Sequence, residues 1–172
     1  MKNIIFIGGI HGSGKGTICK SIKGKTEFIH LTASEVLKWE ELNSQEEKKV
    51  ANINQTQDRL VYNLNKIVKF NNKYLLDGHY SLLNKDGVPE KIPLQTFKDI
   101  DPIKLILVTA EPKVIKGRLE SRDSKYYDIK LIEDFQNLEI KYANKLSQIL
   151  ESPILIINSE QFKTDNLLNF LK

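Results

Sequence analysis

Residues 9 to 17 read Gly9-Ile10-His11-Gly12-Ser13-Gly14-Lys15-Gly16-Thr17. They follow Lys2-Asn3-Ile4-Ile5-Phe6-Ile7-Gly8, an apolar run that predicts a short buried strand. A strand, a glycine-rich turn, a lysine and a helix-compatible run form the layout of a phosphate-binding loop. Backbone N–H groups in such a turn converge on one spot, and the helix adds its positive N-terminal end. Gly9, Gly12 and Gly14 remove side chains that would hold phosphate away from the main chain. Lys15 supplies a cation for the β- and γ-phosphates. The expected nucleoside-triphosphate contacts are Gly9, His11, Gly12, Ser13, Gly14, Lys15, Gly16 and Thr17. The competing reading, an ordinary βα turn with an exposed lysine, makes poor use of three glycines that each cost conformational entropy.

The chain has 172 residues, enough for one well-buried domain. Hydrophobic content of 40% and charge of 28% are ordinary for a soluble globular protein. No apolar run approaches the roughly 20 residues of a membrane span. The start leads straight into a core strand, so no signal peptide is expected, and the expected location is cytoplasmic. A single cysteine, Cys19, excludes an intramolecular disulfide. It reads as a small buried hydrophobe or, alternatively, a nucleophile. Net charge is +4 and the isoelectric point about 9.0. The basic residues are mostly lysines spread along the chain, which reads as solvated surface, and a nucleic-acid partner is not expected. The three arginines, Arg59, Arg118 and Arg122, stand out because arginine grips phosphate in a bidentate fork.

Strand-like runs recur at Ile4–Ile7, Phe28–Leu31, Tyr74–Leu76, Leu105–Val108 and Ile154–Ile157. They are short and nearly continuous, as expected of strands buried on both faces. Helical periodicity fills the gaps: about Gln45 to Phe70, a helix opened by Pro112, Ile129 to Leu150, and a last one carrying Leu167, Leu168 and Leu171. Alternating strands and helices predict an α/β fold, a parallel sheet flanked by helices in three layers, with ligands at the carboxyl ends of the strands. The stretch from Gly78 to Asp101 reads as an irregular loop of functional length.

Several further residues fall where such a site would form. Asp77 closes the third strand in Leu75-Leu76-Asp77-Gly78-His79, placed either to hold the hydration shell of Mg²⁺ or merely to cap a glycine turn. Thr32-Ala33-Ser34-Glu35 reads as a helix N-cap with an acid in the first turn. Arg118 and Arg122 lie four apart on one helix face, able to flank a migrating phosphoryl group or to pair with Glu111, Glu120 or Asp123. His11, His30 and His79 share no metal-ligand spacing, and no nucleophile elbow stands out.

Gly12-Ser13-Gly14-Lys15-Gly16-Thr17 resembles the loop of adenylate kinases and related nucleoside monophosphate kinases. Gly16 stands where the general motif has its hydroxyl, and Thr17 follows it. His11 stands where many of those enzymes have proline. Thr32–Lys38, Leu76-Asp77-Gly78 and the Arg118/Arg122 pair come in the family's order, so the resemblance spans most of the chain. It implies a five-stranded sheet in the order 2-3-1-4-5 within a single P-loop kinase domain, residues 1–172. It also implies an acceptor-binding helical insertion at about 32–72 and a short lid at about 119–130.

By the same resemblance, the γ-phosphate of ATP passes to a nucleoside monophosphate, with Mg²⁺ held by Thr17 and Asp77. Lys15, Arg118, Arg122 and Asp77 are the implied catalytic residues. Thr32, Lys38, Arg59, His79 and Gln95 are the implied acceptor contacts, with Trp39 at the border of the acceptor base or simply packed. By topology alone, Asn158 and Ser159, just after the fifth strand, are placed to edge the donor base. The family's Phe-Pro-Arg after the glycine is replaced by His79-Tyr80-Ser81, and Lys38 takes the place of a second phosphate-binding arginine. Two other readings therefore stay open. One is a kinase for a nucleoside, sugar or acid hydroxyl, with Asp77 or Glu35 as base. The other is an ATPase or nucleotide switch acting on a protein or RNA partner.

Overall fold

The computed structural model describes residues 3–38 and 53–172. Its strands are β1 (Ile4–Gly8), β2 (Ile29–Thr32), β3 (Tyr74–Asp77), β4 (Ser81–Leu83), β5 (Pro89–Lys91), β6 (Lys104–Thr109) and β7 (Ile154–Asn158). Its helices are α1 (Lys15–Ile22), α2 (Ala33–Lys38), α3 (Ile53–Ile67), α4 (Leu94–Ile100), α5 (Pro112–Asp123), α6 (Ile129–Ile149) and α7 (Thr164–Leu171). Five strands form one parallel sheet in the order β2-β3-β1-β6-β7. Counting those five alone, this is the 2-3-1-4-5 order that the resemblance implied.

Period-2 alternation in the central strands feeds two cores. Ile4, Phe6, Leu76, Leu105 and Leu107 face α3, α4 and α6, where Leu60, Leu64, Phe97, Ile100 and Tyr142 meet them. Ile5, Ile7, Leu75, Ile106 and Val108 face α1 and α7 through Ile18, Ile22, Leu167 and Leu171. Parallel register brings Thr32 beside Asp77, Asp77 beside Ile7, and Thr109 beside Asn158. The carboxyl ends of the strands thus share one edge, and the glycine loop leaves the sheet there.

The stretch from Gly78 to Asp101 is ordered, contrary to the loop expected from sequence. It holds the antiparallel hairpin β4–β5 and helix α4. Three-residue strands are too short to leave a readable period, which is why the sequence pattern concealed them. The hairpin turn is built by Asn84, whose Oδ1 accepts from the N–H groups of Asp86 and Val88 at 3.0 Å each. The helix expected from Gln45 is α3, described from Ile53, and the expected residues before it lie outside the described residues, as does Trp39. The segment expected to be a lid comprises the end of α5, residues 124–128 and the first turn of α6.

Phe97 sits under the cavity described below, with ring centroids 5.3 Å from Phe6, 5.7 Å from Tyr80 and 5.9 Å from Tyr142. Phe97→Ala is expected to lower the unfolding free energy by about 3–5 kcal/mol, since the buried ring leaves a void. Phe70→Ala, at an exposed position, should change it by less than about 0.5 kcal/mol. Paired denaturant titrations check both values.

Candidate active site

The glycine loop turns out of β1 and starts α1 without a side-chain cap. Gly14 is the N-cap, at φ 103°, a left-handed conformation that disfavours any residue with a Cβ. A Cβ there would also lie 2.7 Å from that of Ser159. A Cβ at Gly9 would come within 2.4 Å of the Val108 carbonyl oxygen. At Gly16, by contrast, a Cβ would meet nothing within 4 Å. The protein leaves that side of the helix start open; the Thr17 N–H is taken by Gly14 O at 3.0 Å, while those of Lys15 and Gly16 precede the first intrahelical bond and are available to an anion. The loop therefore fits the phosphates of a nucleotide.

Two side chains converge on one carbonyl. Lys15 Nζ donates to Gly9 O at 2.6 Å. His79 Nδ1 lies 2.9 Å from the same oxygen, and since a carbonyl only accepts, Nδ1 carries the proton. The His79 and His11 rings are 4.4 Å apart between centroids. Burial, reinforced by the charge of Lys15, holds His79 well below the usual imidazole pKa, so this ring is neutral near pH 7. Burial also lowers Lys15, with Asp77 and Glu139 opposing the shift. Burial raises Asp77, with Lys15 opposing. Lys15 and Asp77 thus stabilise each other's charged forms at the cavity wall.

That cavity has a volume of about 680 Å³, within the range of about 300–1,000 Å³ common for small-molecule sites. One part is lined by His11, Gly12, Gly14, Lys15, Gly16, Thr17 and Arg118. The other is lined by Thr32, Ala33, Ser34 and Leu37, by Thr56, Gln57 and Leu60, and by Leu82, Ile92, Thr96, Phe97 and Ile100. Asp77, beside Thr32 in the sheet, and His79, bonded to Gly9 O, link the two groups of residues. Thr17 and Asp77 both line the space and offer hard oxygen donors, a set that fits Mg²⁺.

Arg118 Nη1 donates to Gly12 O at 3.0 Å and to Ser159 Oγ at 3.1 Å, which lays the guanidinium along the loop. Ser159 therefore meets the loop through Arg118, while Asn158 Oδ1 accepts from the Glu160 N–H. Arg122 points elsewhere. It makes a two-pronged bond to Asp123, at 2.6 and 2.7 Å, and does not line the cavity. Asp123 also accepts from the Tyr127 hydroxyl, and these donors hold its carboxyl well below the usual range.

The acceptor residues implied by resemblance divide in the same way. Thr32 lines the cavity and closes a capping box: Glu35 N–H donates to Thr32 Oγ1 at 3.2 Å, and Thr32 N–H donates to Glu35 Oε2 at 3.3 Å, with the Thr32 hydroxyl adding a bond to the same oxygen at 2.7 Å. Glu35 is thereby occupied at the helix start. Lys38 is exposed in the last turn of α2 and does not line the cavity. Arg59 Nη2 donates to Leu37 O at 2.6 Å and Asn63 Nδ2 to Val36 O at 2.9 Å, tying α3 to the end of α2. Gln95 bonds Asp99 on the exposed face of α4, while the next residue, Thr96, turns into the cavity.

Sequence reasoning missed Gln57, Thr96 and Glu139. Glu139 is fully buried, and its Oε1 accepts from the N–H groups of Tyr80 and Ser81 at 2.9 and 3.0 Å. It thus pins the chain just after His79. A signal was present: Ile132, Phe135, Glu139, Tyr142 and Leu146 occupy one apolar stripe of α6, and a carboxylate in such a stripe needs a partner. Folding also assembles Cys19, His30 and Asp77 from α1, β2 and β3, with ligand atoms within 4.8 Å of one another. No sequence spacing linked them. Burial pushes the Cys19 thiol up to about 12, which keeps it protonated and supports its reading as a small core residue.

A family model described as an AAA domain matches residues 8–136, and the chain belongs to that family. A curated relative, UMP-CMP kinase 2 of Caenorhabditis elegans, is 45% identical over 40 residues, which is 23% of this chain. The match spans only 21% of that kinase's own length. The YorR protein of Bacillus subtilis, solved in complex with phosphorylated GDP, superposes over 98% of this chain and 92% of that one. Its TM-score is 0.57 at 15% identity. A gluconokinase from Sinorhizobium meliloti 1021 superposes over 99% and 89%, with a TM-score of 0.55 at 8% identity. At these identities the two structures establish the fold. With the family match, they agree with the P-loop kinase-like resemblance read from the loop. No helix among the described residues is long and apolar enough to cross a membrane.

Glu139 makes a pH test possible. Burial raises its carboxyl from the usual 4.5 to about 7, so the folded state holds a proton that the unfolded state has lost. Its stabilising contribution is complete below about pH 4.5 and is lost as pH rises through about 7, a change of roughly 3 kcal/mol. Glu139→Gln should therefore flatten stability between those values. Denaturant melts of both proteins at several pH values across this window test it, and parallel curves would exclude this assignment.

Proposed function

We propose that this chain is an ATP-dependent phosphotransferase that moves the γ-phosphate to a small molecule bound in the second part of the cavity. The observation that carries the reading is the continuity of the space. The phosphate-binding loop, with Lys15 and Arg118, and residues of α2, α3, β4 and α4 line one cavity of about 680 Å³. The triphosphate lies on residues 9–17. The acceptor oxygen forms its bond to the γ-phosphorus as the bond to the β–γ bridging oxygen breaks, and ADP leaves with that electron pair. Lys15 and Arg118 balance charge on the transferring oxygens, an electrostatic contribution present before reaction begins. Mg²⁺, held by Thr17 and Asp77, would neutralise phosphate charge when bound.

The acceptor favoured by family resemblance is a nucleoside monophosphate. A specific observation supports the second reading, a nucleoside, sugar or acid hydroxyl: of the three arginines only Arg118, bonded to the phosphate loop, lines the cavity. Among the carboxylates considered as base, Glu35 is occupied in its capping box. Asp77 lines the cavity, and burial raises its carboxyl towards the proton-accepting range. In that case the hydroxyl proton passes to Asp77, which is then not available to hold Mg²⁺.

ADP formation measured with ATP, Mg²⁺ and a panel of monophosphates, nucleosides and sugars distinguishes the two. Hydrolysis that ignores every acceptor and responds to a protein or RNA would instead support a switch. Lys15→Ala is expected to lower kcat by about 10²–10³-fold, as for removal of other electrostatic groups. Wild-type turnover in that variant would overturn the mechanism. Arg118→Ala should reduce kcat/KM more than Arg122→Ala, and equal losses would show that Arg122 leaves Asp123 during turnover.

A further inference from the structure

Gln57, on α3, is 4% exposed and lines the cavity, yet its Oε1 has no hydrogen-bond partner among the described residues. A buried carboxamide oxygen is costly to leave unmet, and this one lies on a cavity wall that mixes apolar side chains with a few hydroxyls. Leu37, Leu60, Leu82, Phe97 and Ile100 share the cavity lining with it, as do Thr32, Ser34 and Thr56. Thr96 adds a second buried polar side chain, from α4.

The cations that line the cavity, Lys15, Lys20 and Arg118, belong to α1 and α5, beside the phosphate loop. Among the described residues, α2, α3, β4 and α4 contribute no cation to the lining. A phosphate monoester would place a dianion against these walls with no guanidinium fork to meet it. A sugar acid would bring a carboxylate that likewise meets no cation among the described residues of these walls. A flat heteroaromatic ring matches the chamber better. Its faces pack on Phe97 and the leucines, and one edge presents an N–H.

We propose that the acceptor is a neutral alcohol carrying a heteroaromatic ring, a nucleoside or a molecule of that shape, and that Gln57 selects it by accepting a hydrogen bond from the ring edge. This rests on the reading of the cavity as the acceptor part of a phosphotransferase. Gln57 acts as a specificity residue and takes no part in the transfer itself.

The test uses the full chain saturated with Mg·ADP and measures calorimetric affinity for adenosine, guanosine, cytidine, uridine and thymidine, for their 5′-monophosphates and for gluconate. At least one nucleoside is expected to bind, and more tightly than its own monophosphate. Gln57→Leu should weaken that nucleoside roughly tenfold, about 1.4 kcal/mol, while ADP affinity stays within about twofold. Gln57→Glu keeps an acceptor oxygen and should lose less than Gln57→Leu. If Gln57→Leu fails to hold ADP, the proposal stands or falls on whether Gln57→Glu retains nucleoside binding. The proposal is overturned if ADP binds but no nucleoside does. It is equally overturned if a monophosphate or gluconate outcompetes the nucleosides, or if Gln57→Leu leaves nucleoside affinity unchanged. Failure of ADP itself to bind the wild-type chain would remove the phosphotransferase reading beneath it.

Discussion

Everything at the site depends on the register of β1 between its two neighbours. Ile7 stands opposite Asp77 on one side and Ile106 on the other. Side chains alternate faces along a strand, so a slip of one residue would turn the whole apolar set over. It would move Asp77 away from Lys15 and put Leu76 in its place. The large aliphatic residues of both cores prevent that slip, because each face of the sheet is covered by helices that accept only its own set. The energy that aligns the strand ends is therefore hydrophobic, although the chemistry at those ends is electrostatic.

Within this frame, the charged groups are held in a dry place by one another. Lys15 is buried enough to lose some basicity, and Asp77 and Glu139 act against that loss. The Gly9 carbonyl receives both Lys15 and His79, so the loop and the end of β3 share an anchor. Glu139 then fixes the next two residues through their N–H groups. A chain of contacts thus runs from the middle of α6 to the phosphate loop without using an exposed residue. Such a site needs little reorganisation when a highly charged ligand arrives.

The donor side of the site was legible in the sequence because its signals are local. Three glycines, a lysine and a threonine at fixed offsets make a turn whose backbone itself is the binding surface. The capping box at Thr32 and Glu35 and the proline that opens α5 are similarly short-range. The acceptor side was not legible in this way. Gln95 and Thr96 differ by one position in sequence, but only Thr96 faces the cavity, while Gln95 bonds Asp99 on the exposed side of α4. Arg59 and Lys38 carry the charges expected of phosphate ligands, yet Arg59 serves the end of α2 and Lys38 remains on the surface. The hairpin β4–β5, too short to show a period, supplies Leu82 to the chamber.

By itself the sequence determined that this is an α/β chain with a phosphate-binding loop after its first strand. Strand periodicity and turn chemistry act over a few residues and survive in a linear reading. Only the tertiary structure decided which side chains face the second chamber, that no arginine lines it, and that Gln57 and Glu139 are buried polar groups of consequence. Those facts depend on contacts between residues distant in the chain, such as Glu139 with Tyr80. No local pattern encodes a hydrogen bond that a second element must complete, and for that reason the character of the cavity walls emerged only from the folded structure.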